Sequence, residues 1–245
     1  MHANVANAEY MDCDGAPLCG VLTLETGLGR GKYAHEKPSL HGLWPQTGKY
    51  GTSQCLRPTF SEAPPQTLFP CYQSSDATTT EQEQLRFEQY EWAKHGTCAG
   101  ARDAQDYLTT ACGLSREPLR LLDLERNAGT AELDAFARRL EQAGFPVYAT
   151  DRRNMQVELS ACAGTDGAWV FAKPSEFRSR CGGGGGANAA TAVVQEFAPT
   201  SALSCVRSTK GPRCASDADC GYSGCVRCAK SGFCTDQPLV RGPRG

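Results

Sequence analysis

His41-Gly42-Leu43-Trp44-Pro45 and Tyr90-Glu91-Trp92-Ala93-Lys94-His95-Gly96-Thr97-Cys98 together carry two of the chain's four histidines. Each stretch sets an imidazole beside groups that can handle a phosphate. In the second, Glu91 and His95 lie four apart and Glu91 and Lys94 three apart, so on a helix all three share a face. The helix then presents a carboxylate, an ammonium and an imidazole as one cluster. Glu91 can hold His95 or Lys94 and favour their charged forms. Alone, this stretch reads equally well as a routine Glu/Lys pair next to a surface histidine. With His41 supplied from a separate segment, it reads as a two-histidine site.

Thr80 and Glu83 form a capping-box pattern, so a helix is expected from there through Leu85, Phe87 and Trp92 to about His95. Gly96 terminates it. Upstream, residues 13–75 are rich in Gly, Pro and Cys around a short apolar run, Val21 to Leu24, and read as loops and short strands. Downstream, Pro118–Glu125 and Ala131–Ala143 read as two helices. The second has an apolar stripe of Leu133, Phe136, Ala137 and Leu140 and stops at Gly144. The period then changes. Met155, Val157, Leu159 and Ala161 alternate with polar residues as in a half-buried strand, and Ala168–Ala172 and Thr191–Phe197 read as two more. No internal repeat is present.

The 245 residues, 40% hydrophobic, suffice for one sizeable core with a small appendage. The net charge of -2 excludes a general nucleic-acid coat, so any nucleic acid must be held by a local site. Fourteen cysteines point to seven disulfides in an oxidising compartment. No apolar run is long enough to cross a bilayer. Met1 to Asp12 lacks the pattern of a secretion signal, which we expect to have been removed or to lie outside this sequence; His2, within it, reads as a solvated residue. Cys205, Cys214, Cys220, Cys225, Cys228 and Cys234 form a separate group, with Lys210, Arg213, Arg227, Lys230, Arg241 and Arg244 among them. The Cys225/Cys228 spacing allows zinc, but with no histidine nearby a three-disulfide knot fits better. Such a module reads as a stabilising appendage, or as a binder of glycan, surface or RNA.

Together the two histidine stretches resemble the two active-site signatures of the ribonuclease T2 family. The resemblance implies an α+β fold, disulfide-rich, with helices packed on one side of a central antiparallel sheet. It implies that a strand like Ala192–Phe197 ends the catalytic domain, with Gly182–Gly186 as a loop inside it. Residues 1–200 are then the catalytic domain and 201–245 a cysteine-rich module. Bridges Cys55–Cys98 and Cys162–Cys181 are implied; the sequence does not determine how the other cysteines pair. The implied activity is endonucleolytic cleavage of single-stranded RNA through a 2′,3′-cyclic phosphate, with no cofactor or metal. His95 would be the general base and His41 the general acid, or the reverse. Glu91 and Lys94 would stabilise the transition state.

Two positions depart from the family pattern. Tyr90 stands where many members have a third histidine, and Gln46 where an Asp often helps recognise a base. Trp44 is expected either to stack on a nucleobase or to pack in the core; Tyr50 is a weaker base-site candidate. His35 matches no family position and is expected at the surface, unless its loop folds inward. A secreted or lysosome-like location and a monomer are expected. The rival readings are a non-enzymatic effector that keeps the fold and a carbohydrate or surface binder that works through its tail.

Overall fold

A computed structural model describes residues 10–73 and 79–182, and the backbone of 227–228 and 234–235. The chain divides into two units, Met1–Gly186 and Ala187–Gly245. The expected strand Thr191–Phe197, the expected domain boundary and the pairing of the last six cysteines lie outside the described residues.

The first unit is built on a five-stranded antiparallel sheet in the order β2-β1-β4-β3, with β5 also paired to β4. These are β1 (Leu18–Glu25), β2 (Ser39–Pro45), β3 (Val147–Asp151), β4 (Gln156–Ala163) and β5 (Val170–Phe171). β1 is buried along its whole length because both of its faces are covered. Leu18, Leu22 and Leu24 enter the main core with Leu43, Leu159 and Ala161. Cys19 and Val21, pointing the other way as strand alternation requires, meet Cys162, Ala172 and Phe177 in a second, smaller core. β4 is likewise buried on both faces. The alternation at Met155–Ala161 therefore marks a central strand and not the half-buried one expected, because both its neighbours and both its faces are filled.

Three helices contribute to the main core: α1 (Glu81–Lys94), α2 (Ala104–Asn127) and α3 (Leu133–Gln142). α1 begins on the capping box read from the sequence, Thr80 with Glu83, and has His95 at its C-cap. α3 buries the four residues of its apolar stripe, Leu133, Phe136, Ala137 and Leu140. Each large one contributes on the order of 1.5–3 kcal/mol. α2 starts well before Pro118, where the sequence suggested a helix would begin, and carries that proline inside it. Tyr107, Leu108, Ala111, Ser115, Pro118, Leu121 and Leu122 make one continuous buried stripe. Its burial outweighs the missing hydrogen bond at proline. A short helix, α4 (Phe177–Cys181), packs on the second core. In the second unit β6 (Arg227–Cys228) pairs with β7 (Cys234–Thr235).

Four disulfides join Cys13–Cys19, Cys55–Cys98, Cys71–Cys112 and Cys162–Cys181. They include both bridges implied by the family resemblance. Cys55–Cys98 ties the segment after β2 to the turn that ends α1.

Candidate active site

The β1/β2 ladder pairs Thr23 with Gly42 and then Leu24 with Leu40, so His41 is the extra residue of a β-bulge. Bulges re-aim side chains. Here Leu40 and Leu43 stay in the core while the His41 imidazole turns toward α1, edge-on to Phe87 at 5.2 Å between ring centres. His41 is 8% exposed. Its Nδ1 lies 2.6 Å from Glu25 Oε1, and its Nε2 lies 3.7 Å from Glu91 Oε1.

Glu91 is almost wholly buried, and Trp44 Nε1 donates to its Oε2 at 2.7 Å. This bond joins the two histidine motifs directly. Gly42 makes room for it: a Cβ there would stand 2.3 Å from Glu91 Oε2 and 2.6 Å from Trp44 Nε1. Burial raises the Glu91 carboxyl above the usual range, although the nearby His41 and the Trp44 bond act the other way.

The cluster expected on one helical face divides. Glu91 turns inward to Trp44, and Lys94 reaches outward over the Tyr90 ring at 5.2 Å. His95 leaves the helical phase, with φ -123° and ψ -48°. Its backbone N–H donates to the Glu91 carbonyl, and its ring stacks on Trp44 at 5.1 Å. Burial, then the charges of Lys94 and His41, hold His95 down to about 3, so its imidazole is neutral. A bond with Tyr90 raises Lys94, which stays cationic.

A cleft of about 510 Å³ opens beside these groups. It is lined by His41 and Trp44 of β2, by Tyr90 and Lys94 of α1, and by Asp151, Asn154, Gln156 and Glu158 of the β3–β4 hairpin. Trp44 is half-buried and touches both imidazoles, His41 edge-on at 4.9 Å and His95 face-on. It is therefore neither a plain core residue nor free of the site. Gln46 and Tyr50 do not line the cleft. The Gln46 amide donates to the Trp44 carbonyl at 3.4 Å, and Tyr50 is exposed with Lys49 over its ring. Among the described residues, no three His, Cys, Asp or Glu side chains converge as a metal site requires.

His35 is not at the surface. Its loop folds inward and its Nε2 lies 2.8 Å from Glu25 Oε2, with the ring 12% exposed. Glu25 accepts from two histidines at once. Burial raises its carboxyl, but the bonds from His35 and His41 outweigh this and leave it below the ordinary value. The sequence reading missed Glu25, Gln156 and Glu158. Gln156 and Glu158 are the polar members of the β4 alternation, which looks like a solvent face until the cleft is seen. Burial, with Asp151 adding to it, pushes Glu158 up to about 7.

The chain matches the model of the Ribonuclease T2 family over residues 18–129. No curated protein matches it significantly. Two solved structures of ribonuclease MC1 variants are similar. The first is 16% identical, with a TM-score of 0.39, covering 62% of this chain and 91% of that one. The second, in complex with 5′-UMP, is 18% identical, with a TM-score of 0.36, covering 62% and 90%. The segment that matches the ribonuclease T2 family, residues 18–129, holds both histidine motifs.

Proposed function

We propose that this protein cleaves single-stranded RNA endonucleolytically, by transphosphorylation through a 2′,3′-cyclic phosphate and without a metal ion. The observation that carries this reading is the convergence of two separate motifs on one cleft, joined by the Trp44–Glu91 bond with Lys94 at the rim. RNA brings its own nucleophile, the 2′-hydroxyl. One group must take its proton and another must protonate the departing 5′-oxygen. His95, neutral and held so by burial and neighbouring positive charge, has the form a proton acceptor needs. That assigns the acid role to His41, whose Nε2 faces Glu91 and the cleft. Lys94 supplies a cation for the charge that grows on the phosphoryl oxygens. Tyr90 lines the same cleft and offers a phenol to a phosphate oxygen or a base. Trp44 lines the cleft between the two imidazoles and offers an aromatic surface to a nucleobase.

Four disulfides suit an oxidising compartment, so we assign the protein to the extracellular or secretory space, as a monomer. No helix among the described residues is long and apolar enough to cross a membrane. The test is incubation with an RNA oligonucleotide, its all-DNA counterpart and an RNA with one 2′-deoxy position, each with a chelator present. Cleavage of RNA alone, sparing the 2′-deoxy link and leaving cyclic-phosphate ends by mass, is expected. His41→Ala and His95→Ala should each lower the rate by roughly two to four orders of magnitude. Chelator-sensitive activity, or equal cleavage of DNA, rules the mechanism out.

A further inference from the structure

We infer that Glu25 is the positioning residue of His41: its carboxylate accepts a hydrogen bond from Nδ1–H and so fixes Nε2 as the nitrogen that serves the cleft. The inference rests on the acid role proposed above for His41.

Glu25 closes β1 and is 6% exposed. An ionised carboxylate only accepts hydrogen bonds. Its 2.6 Å contact with His41 Nδ1 therefore requires a proton on that nitrogen. The Gln156 amide nitrogen lies 2.7 Å from the same Nδ1. Two donors cannot face each other, so that amide is left to donate to Glu25 Oε1, at 3.3 Å. Gln156 thus steadies the carboxylate and not the ring.

His35 holds the other oxygen. Its Nε2 faces Glu25 and its Nδ1 faces the Lys37 carbonyl, and neither partner can donate. Both nitrogens must then carry protons, so His35 is an imidazolium. Burial works against that charge, but the bonds to Glu25 and Lys37 raise the ring above its ordinary value. Arg126 Nη1 fixes the loop by donating to the carbonyls of Thr26 and His35. The result is a fixed sequence of cation, carboxylate and imidazole, drawn from the β1–β2 loop, β1 and the β2 bulge. The other ionisable groups around His41 include Tyr33, whose ring stacks on it at 6.0 Å, Glu91, Lys94 and His95 at the end of α1, and Asp151 and Glu158 of β3 and β4. A carboxylate that only filled space would not need a buried counter-cation. Breaking one partner of such a set is costly, which keeps the geometry single-valued.

Two measurements test this on the full chain. In the wild type, 15N-edited NMR above about pH 8, where free imidazoles are neutral, should show His41 as the Nδ1–H tautomer. In Glu25→Gln, the new amide can donate to Nδ1, and the Nε2–H tautomer should grow in. With RNA as substrate, Glu25→Gln should lower kcat by roughly ten- to a thousand-fold with KM little changed, the behaviour of a lost tautomer. In a His41→Ala background the same change should have almost no further effect, which a general loss of packing would not reproduce. A wild-type Nε2–H tautomer, an unchanged kcat, or additive losses in the double variant overturns the inference. If Glu25→Gln does not fold, the wild-type tautomer decides alone. If the wild type does not cleave RNA, the proposed function fails while the tautomer still reports on Glu25.

Discussion

Gly42 shows how much of the site hangs on single atoms. It has ordinary strand backbone, and its value is the absent Cβ, which would intrude on both Glu91 Oε2 and Trp44 Nε1. Gly42→Ala should therefore break the Trp44–Glu91 bond, lower kcat on RNA by about ten-fold or more, and cost on the order of 1–3 kcal/mol from overpacking. Kinetics beside a denaturant melt would show it; native rates and stability would mean that the carboxylate yields freely. At this scale the sequence was informative where residues are neighbours on one motif. His41, Trp44, Glu91, Lys94 and His95 all fall at or beside the cleft. It was silent on Glu25, Gln156 and Glu158, whose roles arise only when β1, β2 and β4 pair. It also misjudged His35, because nothing local shows that a Gly- and Lys-rich loop is pinned inward by Arg126 and Glu25.

Among the elements, those with local signals were legible. α1 carries its own cap and α3 its own stripe, and both formed where read. α2 was half-hidden because Gly113 and Pro118 look like breakers, while the stripe that overrides them needs the sheet to pack on. β3 carries no alternation of its own, being only half-buried throughout. The α1 cap also allows structure to be separated from chemistry. The Thr80 hydroxyl accepts from Glu83 N–H, and the Glu83 carboxylate accepts from Thr80 N–H at 2.9 Å. Glu91 and Lys94 lie at the opposite end of the helix, next to the Cys55–Cys98 bridge. Thr80→Ala should cost about 1 kcal/mol of stability and leave kcat and KM on RNA unchanged. A marked fall in kcat, measured well below the melting temperature, would show that fraying at the N-terminus reaches the site.

At the scale of the whole molecule, buried charge ties stability to acidity. Burial pushes Glu88 and Glu158 up to about 7, well above the value of an unfolded carboxyl. The folded state keeps those two protons in a range where the unfolded chain releases them, so stability grows as pH falls from above 7 toward 5. His35, raised in the fold, acts in the same direction. His95, held near 3, acts against it below about 6.5, since only the unfolded chain then takes that proton. Two carboxyls outweigh one imidazole, so Tm should be higher at pH 5 than at pH 7.5. Below the ordinary carboxylate range the gain reverses as Glu25 is forced to protonate. Replacing Glu88 and Glu158 by Gln should remove the rise, and a Tm that falls steadily from pH 7.5 to 5 in the wild type would contradict the assignment. The last expectation concerns the tail. Cys13, Cys19, Cys55, Cys71, Cys98, Cys112, Cys162 and Cys181 all pair with one another. None is left to bridge to the last six. The cleft, too, is lined wholly by residues 32–158. A chain ending at residue 200 should therefore fold, with its four bridges intact by non-reducing mass mapping, and should cleave RNA oligonucleotides about as fast as the full chain. An inactive or misfolded truncation would make the cysteine-rich segment part of the catalytic fold, and a bridge between the two groups of cysteines in the full chain would do the same.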